Sequence, residues 1–95
     1  MSVRFKWDNT KAVSNLKKHS ISFEEAKTVF CDPLARIFDD EGHSIEEKRE
    51  IIIGHSTNNR LLLICFAEQI DVVCIFSARL ATRKEQKDYG ENANF

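Results

Sequence analysis

The chain has 95 residues, of which 42% are hydrophobic and 31% are charged, and its formal net charge is −1. These values predict one globular domain with a single modest core. They exclude a membrane-spanning helix, because no apolar run approaches about 20 residues. The three cysteines, Cys31, Cys65 and Cys74, form no C-x-x-C pair, which favours free thiols over a disulfide scaffold or a zinc site. We therefore expect a cytoplasmic protein in which residues 1–90 form one domain and residues 91–95 form a disordered tail.

The N-terminal segment predicts a strand followed by a helix. Val3–Trp7 alternates apolar and basic side chains, the period-2 pattern of a strand with one buried face. Asp8 then has the position of an N-cap. The helix after it would pack through an apolar stripe formed by Ala12, Val13 and Leu16.

The next segment predicts a second helix and two strands. Ser22 and Glu25 have the spacing of a capping box. The helix should end before Pro33, because proline disfavours helical backbone in the residue that precedes it. Leu34–Phe38 and Lys48–Gly54 are the predicted strands, and an acidic loop joins them.

Two apolar runs, Leu61–Ala67 and Ile70–Phe76, are separated by a short polar spacer. Their length and spacing predict an antiparallel hairpin at the centre of the sheet. Neither run alternates with polar residues, so we expect both of its faces to be covered. Cys65 and Cys74 would then be buried, and Phe76 would lie in the core.

A last helix should begin near Thr82, because Thr82 and Glu85 again have capping-box spacing. Arg79 would then lie where the second strand of the hairpin ends. The order of elements is β-α-α-β-β-β-β-α. It predicts an α+β fold in which an antiparallel sheet of four to five strands packs against two N-terminal helices and one C-terminal helix.

The charges are segregated along the chain despite the near-neutral total. Residues 1–20 carry five basic side chains and one acidic, residues 21–50 four basic and nine acidic, and residues 77–90 four basic and two acidic. One interpretation is a protein with one basic face and one acidic face, and the other is two separately solvated surfaces.

The residues from Trp7 to Tyr89 resemble the BrnT family of toxins. In the first half the resemblance rests on Trp7-Asp8, Lys11-Ala12, Asn15, Lys18-His19, Ser22-Phe23-Glu24-Glu25-Ala26, Val29-Phe30 and Asp32-Pro33. In the second half it rests on His43-Ser44, Glu47, Arg49, Ile53-Gly54, Arg60-Leu61-Leu62, Ser77-Ala78-Arg79, Ala81-Thr82, Glu85 and Tyr89.

The resemblance implies a RelE-like fold and a ribonuclease toxin of a type II toxin–antitoxin pair, which inhibits translation by cleaving RNA. Its implied partner is the DNA-binding antitoxin BrnA, in a dimer or a higher assembly. The basic segments Lys11–His19 and Arg79–Lys87 are the surface that we expect the antitoxin to cover. No cofactor or metal is expected.

Two positions depart from the family pattern, which tends to place arginines after the first hairpin strand and along the second. Gln69 and Cys74 occupy what look like two such positions. Fewer cations on an RNA-binding sheet would weaken the contacts with phosphate. The alternative function is therefore a weakened or inactive member that binds its antitoxin and acts in transcriptional autoregulation.

Metal-independent cleavage needs a positive charge on the phosphate and groups that exchange protons. Arg79 is the first candidate for the charge, since a guanidinium stays ionised and grips two phosphate oxygens. The alternative for Arg79 is a salt bridge to Glu85 or Asp88. Arg60, at the mouth of the turn, is the second candidate for a phosphate contact.

The proton-transfer pair is left open by the sequence. Glu85 is a candidate base or only a helix cap, and His19 is a candidate acid or base or only a charge complement at its helix end. His43 and His55 are weaker candidates, and Tyr89 is expected to pack rather than stack on a base. The candidate RNA-binding residues are Lys6, Lys17, Lys18, Arg83 and Lys84.

Overall fold

The computed structural model describes residues 3–40 and 48–93, except for the side chains of residues 91–93. The strands are β1 (Arg4–Lys6), β2 (Arg36–Asp39), β3 (Glu50–His55), β4 (Leu61–Gln69) and β5 (Val72–Leu80). The helices are α1 (Asn9–His19), α2 (Phe23–Thr28) and α3 (Arg83–Ala93), and a single 3-10 turn, Val29–Cys31, follows α2. The predicted order of elements is confirmed.

The strands form one sheet in the order β1-β5-β4-β3-β2, so the hairpin of β4 and β5 occupies its middle as predicted. Pairing is antiparallel from β2 to β5, whereas β1 pairs with β5 in parallel. The fold is thus α+β with a mostly antiparallel sheet. α1 comes directly after β1 in the chain, and β1 pairs with β5. The helix therefore lies beside β5 just past the end of β1.

Side-chain caps set the ends of the first two helices. The Asp8 carboxylate accepts hydrogen bonds from the backbone N–H groups of Thr10 and Lys11, at 2.7 and 3.2 Å. Ser20 ends α1 in the left-handed conformation, and Ser22 caps α2 by accepting from the N–H of Glu25. The N-caps Asp8 and Ser22 are the ones that the sequence predicted.

The face of α1 that contacts the sheet differs from the predicted stripe. Val13 and Leu16 are more than half exposed, whereas Asn15 is buried. The Asn15 amide donates to the carbonyls of Ile21 and Ala78 and accepts from the N–H of Ala78, at 2.9–3.1 Å. It therefore supplies β5 with the hydrogen bonds that a neighbouring strand would make. These polar contacts help to fix α1 on the sheet, and Ala12 of the predicted stripe packs against the core beside them.

The hairpin turn lies two residues beyond the predicted position. β4 continues to Gln69, and the turn is formed by Ile70 and Asp71. Asp71 has a positive φ of 60°, a conformation that aspartate tolerates better than isoleucine. Ile70 belongs to this turn and not to a strand, and its side chain is 92% exposed.

The main core lies on the side of the sheet covered by α1 and α2. It joins Ile21, Phe23, Ala26 and Val29 to the sheet residues Ile52, Leu62, Ile64, Phe66, Val73, Ile75 and Ala78. We call this side the helix face. A smaller cluster on the opposite side joins Tyr89 and Ala81 to Ile53 and Leu63, where α3 crosses one end of the sheet.

The remainder of that opposite side carries no helix in the described part of the chain. Its side chains come from the strand positions between those that point into the main core. We call this surface the open face. It includes Lys6 of β1, Cys65 of β4, and Cys74, Ser77 and Arg79 of β5. The hairpin is therefore covered fully on the helix face and only partly on the other, which differs from the prediction.

Other boundaries shift by two or three residues. β2 and β3 each begin two residues later than predicted. α3 runs to Ala93 and so takes in residues 91–93 of the predicted tail. No helix among the described residues is long and apolar enough to cross a membrane.

Candidate active site

Arg79 lies on the open face and is held by Glu85. The two Nη atoms of Arg79 each donate to one oxygen of the Glu85 carboxylate at 2.8 Å. Nη1 also donates to the Leu80 carbonyl at 3.1 Å. Arg79 is the second-to-last residue of β5, close to the predicted strand end. The alternative prediction of a salt bridge to Glu85 is confirmed. The pair is bidentate, which fixes the plane of the guanidinium.

Arg79 can still bind a second anion. A guanidinium has five N–H donors, and Nε and one hydrogen of Nη2 have no acceptor among the described residues. These two donors lie on the same edge of the group, the side-on fork that matches two phosphate oxygens. The side chain is 37% exposed.

Glu85 has the environment of a positioning residue. Its carboxylate also accepts from the N–H of Thr82 at 2.8 Å, and the Thr82 hydroxyl accepts from the N–H of Glu85, which completes the predicted capping box. Chiefly because of Arg79, the pKa of Glu85 is lowered to about 2. A carboxylate with so low a pKa is a weak base near neutral pH. Its surroundings therefore favour holding Arg79 over accepting a proton.

The prediction that Phe76 lies in the core is wrong, because Phe76 is the extra residue of a β-bulge. Cys65 pairs with Ser77, whereas the next residue, Phe66, pairs with Ile75, so Phe76 has no partner on β4. Its half-buried ring contacts two cations instead. The Arg49 guanidinium lies 4.2 Å from the ring centroid, and the Lys11 ammonium lies 5.2 Å from it.

Two grooves meet at Phe76 and Lys11. One, of about 270 Å³, is also lined by Lys18, His19 and Ser77. The other, of about 350 Å³, is also lined by Lys6, Trp7 and Cys74. The structure thus brings His19, Lys6 and Lys18 to one region, and Ser77 connects this region to Arg79 along β5.

The open-face cysteines are partly exposed rather than buried as predicted. The Cys65 thiol lies 3.8 Å from the Asp40 carboxylate, and burial raises its pKa. Cys74 and Gln69, the two departures from the family pattern, both follow the open-face alternation. Neither side chain carries a positive charge, so these two positions add no cation to the end of the open face near the hairpin turn.

Arg60 is on the helix face, away from Arg79. Its Nε donates to Glu25 at 2.9 Å, and its Nη2 contacts the other Glu25 oxygen and the Ser20 carbonyl. The Glu25 carboxylate is 7% exposed and also accepts from the Ser56 hydroxyl at 2.7 Å. Arg60 is therefore the partner of a buried carboxylate, and the structure does not bring it together with the other candidates.

The remaining basic candidates are spread over the surface. Lys17 lines a different groove, along α1 with Asn9 and Val13, while Arg83 and Lys84 are exposed at the start of α3. His43 lies outside the described residues.

Tyr89 is buried and packs, as expected. Its hydroxyl donates to Asp32 at 2.8 Å, and His55 Nδ1 lies 3.1 Å from the same hydroxyl. These contacts hold the C-terminal half of α3 on the sheet.

Arg49, Phe76 and Lys11 were not among the predicted site residues. Arg49 is two residues before Ile51, so the strand alternation could have placed it on the same face as Ile51. The bulge that turns Phe76 out of the core has no sequence signal, because neither glycine nor proline marks it.

Comparison with known proteins agrees with this architecture. Residues 7–85 match the sequence profile of a family described as "Ribonuclease toxin, BrnT, of type II toxin-antitoxin system". No curated protein matches the chain. Among solved structures, the chain is similar to the ribonuclease toxin BrnT of Brucella abortus, solved at 1.1 Å. The TM-score is 0.66 at 19% identity, and the match covers 86% of this chain and 100% of that one. The profile match spans most of the sequence, so the chain belongs to the BrnT family of ribonuclease toxins of type II toxin–antitoxin systems.

Proposed function

We propose that this chain is an active endoribonuclease that cleaves RNA without a metal ion, inhibits translation and is neutralised by a BrnA-type antitoxin. The observation that carries the proposal is Arg79, a guanidinium fixed by a bidentate carboxylate, with a side chain that is 37% exposed and two N–H donors without an acceptor among the described residues. A charge held in place before substrate binds stabilises a transition state without reorganisation.

The reaction follows from this arrangement. The 2′-hydroxyl of the substrate attacks the neighbouring phosphorus and loses its proton, and the 5′-oxygen of the next nucleotide leaves and gains one. The products are a 2′,3′-cyclic phosphate and a 5′-hydroxyl. Arg79 binds the phosphate oxygens, whose negative charge grows during the attack.

His19 is the proton-transfer residue in this proposal. It lines the same groove as Ser77, and Ser77 is two residues from Arg79 on β5, a distance of about 7 Å along a strand. Imidazole exchanges protons near neutral pH. Glu85 then acts through Arg79 as a positioning residue.

Lys6 lines one groove and Lys18 lines the other. In this proposal both bind phosphates of the RNA backbone where it passes Phe76, and they form the start of a phosphate track. Arg83 and Lys84 would continue it past Arg79 at the start of α3. Lys17 is directed elsewhere, and we assign it no contact with RNA.

The antitoxin neutralises the toxin by covering the open face. Its interface should include residues of Lys11–His19 and Arg79–Lys87, which border the grooves and Arg79. Amide exchange with and without the antitoxin should show protection in both segments. Protection found only in β2 and β3 would contradict this assignment.

The second candidate is a binding protein that keeps the antitoxin surface without catalysis. Gln69 and Cys74 favour it, because both stand on the open face where the family pattern tends to have arginines. The two candidates differ in whether the purified chain cleaves RNA.

The test is cleavage of single-stranded RNA in EDTA by the wild type and by Arg79→Ala and Arg79→Lys. Losing one preorganised donor costs about 10²–10³ in rate, so alanine should abolish detectable cleavage and lysine should reduce it. Arg36→Ala, which changes an arginine on the edge strand β2, is the matched control and should cleave normally. Glu85→Gln should lower the rate and leave the pH profile unchanged, as expected of a positioning residue.

A folded Arg79→Ala protein that cleaves as fast as the wild type would refute the role of Arg79. A wild type that cleaves no RNA, with or without ribosomes, would leave the binding-protein candidate.

A further inference from the structure

Phe76 is an aromatic residue that the core does not use. Every other phenylalanine among the described residues packs into one of the two hydrophobic clusters, whereas Phe76 packs into neither. The bulge that sets it apart costs a ladder pairing on the strand that carries Arg79. Bulges of this kind re-aim side chains next to active sites.

The surroundings of the ring match the needs of a nucleotide. Two cations, Arg49 and Lys11, lie within 5.2 Å of the ring centroid. The ring lines two grooves, and each is bordered by a further lysine, Lys6 in one and Lys18 in the other. An aromatic surface flanked by cations is how proteins bind single-stranded nucleic acids, with bases on the ring and phosphates on the cations.

We propose that Phe76 is the stacking platform for a base of the RNA substrate, which takes the place of the Lys11 ammonium over the ring, and that Lys11 and Arg49 then meet the phosphates next to that base. This inference rests on the proposed function and deepens it by assigning the substrate contact next to Arg79. The chemistry selects unpaired RNA, because a base inside a duplex offers no free face to the ring. Stacking tolerates any base, so Phe76 sets affinity and register rather than sequence.

The test separates binding from cleavage. The probe is a short single-stranded RNA with 2′-O-methyl groups, which cannot form the attacking hydroxyl, and with one 2-aminopurine whose fluorescence falls on stacking. Phe76→Leu keeps the apolar volume and should weaken binding about five- to one-hundred-fold, the range for losing one stacked base. The quenching should disappear with it. Phe76→Trp should restore both.

The matched control is Phe38→Leu. Phe38 also has a guanidinium over its ring, that of Arg36 at 5.5 Å, but it lies on the edge strand β2. This variant should bind the probe as the wild type does. Thermal unfolding should show Phe76→Leu close to the wild type, because the ring belongs to neither cluster.

Three outcomes would overturn the inference. If Phe76→Leu folds and binds the probe with unchanged affinity, Phe76 is not a stacking platform, and the proposed ribonuclease activity is not affected by that result. Equal losses in Phe76→Leu and Phe76→Trp would show a packing role instead of stacking. A wild type that neither binds the probe nor cleaves unmodified RNA would refute the platform together with the proposed function.

Discussion

Replacing Arg60 with alanine should destabilise the fold, because Arg60 is the ionic partner of a buried carboxylate. Removing one member of a buried pair typically costs about 3–5 kcal/mol. Arg60 is 35% exposed, so water can enter the space it leaves, and Ser56 still donates to Glu25. We therefore expect a smaller cost, about 2–3 kcal/mol in the free energy of unfolding. For a domain of this size the melting temperature should fall by roughly 10–20 °C.

The assay is urea unfolding of Arg60→Ala beside Arg83→Ala, an exposed arginine without a described partner. The control should stay within about 0.5 kcal/mol of the wild type. Arg60→Ala should still cleave RNA per folded molecule, since the side chain is on the opposite face from Arg79. Wild-type stability together with lost cleavage would refute the structural role and restore Arg60 as a catalytic candidate.

The pH dependence gives the same prediction a second test. The pKa of Glu25 is lowered, chiefly by its hydrogen bond from Arg60. A carboxyl with a lowered folded pKa stabilises the fold above its unfolded pKa, near 4.5, and loses this contribution as pH falls through the folded value. The stability gap between wild type and Arg60→Ala should therefore be largest near neutral pH and narrow below about pH 4. A gap independent of pH would contradict the ion-pair explanation.

Other predictions follow from single contacts. Asn15→Ala should cost about 2–3 kcal/mol in urea unfolding, because it leaves the backbone groups of Ala78 without partners, and an unchanged midpoint would contradict this. Burial and Asp32 raise the pKa of Tyr89, the single tyrosine, to about 12. Ultraviolet titration should show it ionising well above its ordinary pKa near 10, with stability lost as pH rises between those values. A maleimide should label exposed Cys31 before Cys65, whose thiol is half-buried with a raised pKa; the reverse order would contradict the placement of Cys65.

The fold could be predicted from the sequence to the extent that local signals carry it. Caps at Asp8 and Ser22, the proline after the 3-10 turn and the two apolar runs each determine a boundary or an element through nearby residues. The face of α1 could not be predicted, because Asn15 is buried by hydrogen bonds to a strand 63 positions away. Hydrophobic periodicity does not report such a contact.

The candidate site was predicted only in part for a similar reason. Arg79 and Glu85 are six residues apart, and their pairing follows from a strand and a helix joined by a short turn. Arg60 looked equivalent to Arg79 in sequence, yet strand alternation places the two on opposite faces. Phe76 looked like core because it ends an apolar run. The bulge that exposes Phe76 arises from how β4 and β5 pair. The sequence of neither strand alone predicts that pairing.

The central claim is that RNA binds the open face of the sheet beside Arg79. Its most direct measurement is a two-dimensional NMR titration of the labelled wild type with the uncleavable single-stranded RNA. We predict that shift changes concentrate on Cys74–Arg79 and on Lys11–His19, where the grooves and the Arg79 guanidinium lie. Changes confined to the exposed apolar groove of the helix face, around Val3, Phe30 and Ile37, or no changes at all, would contradict the claim.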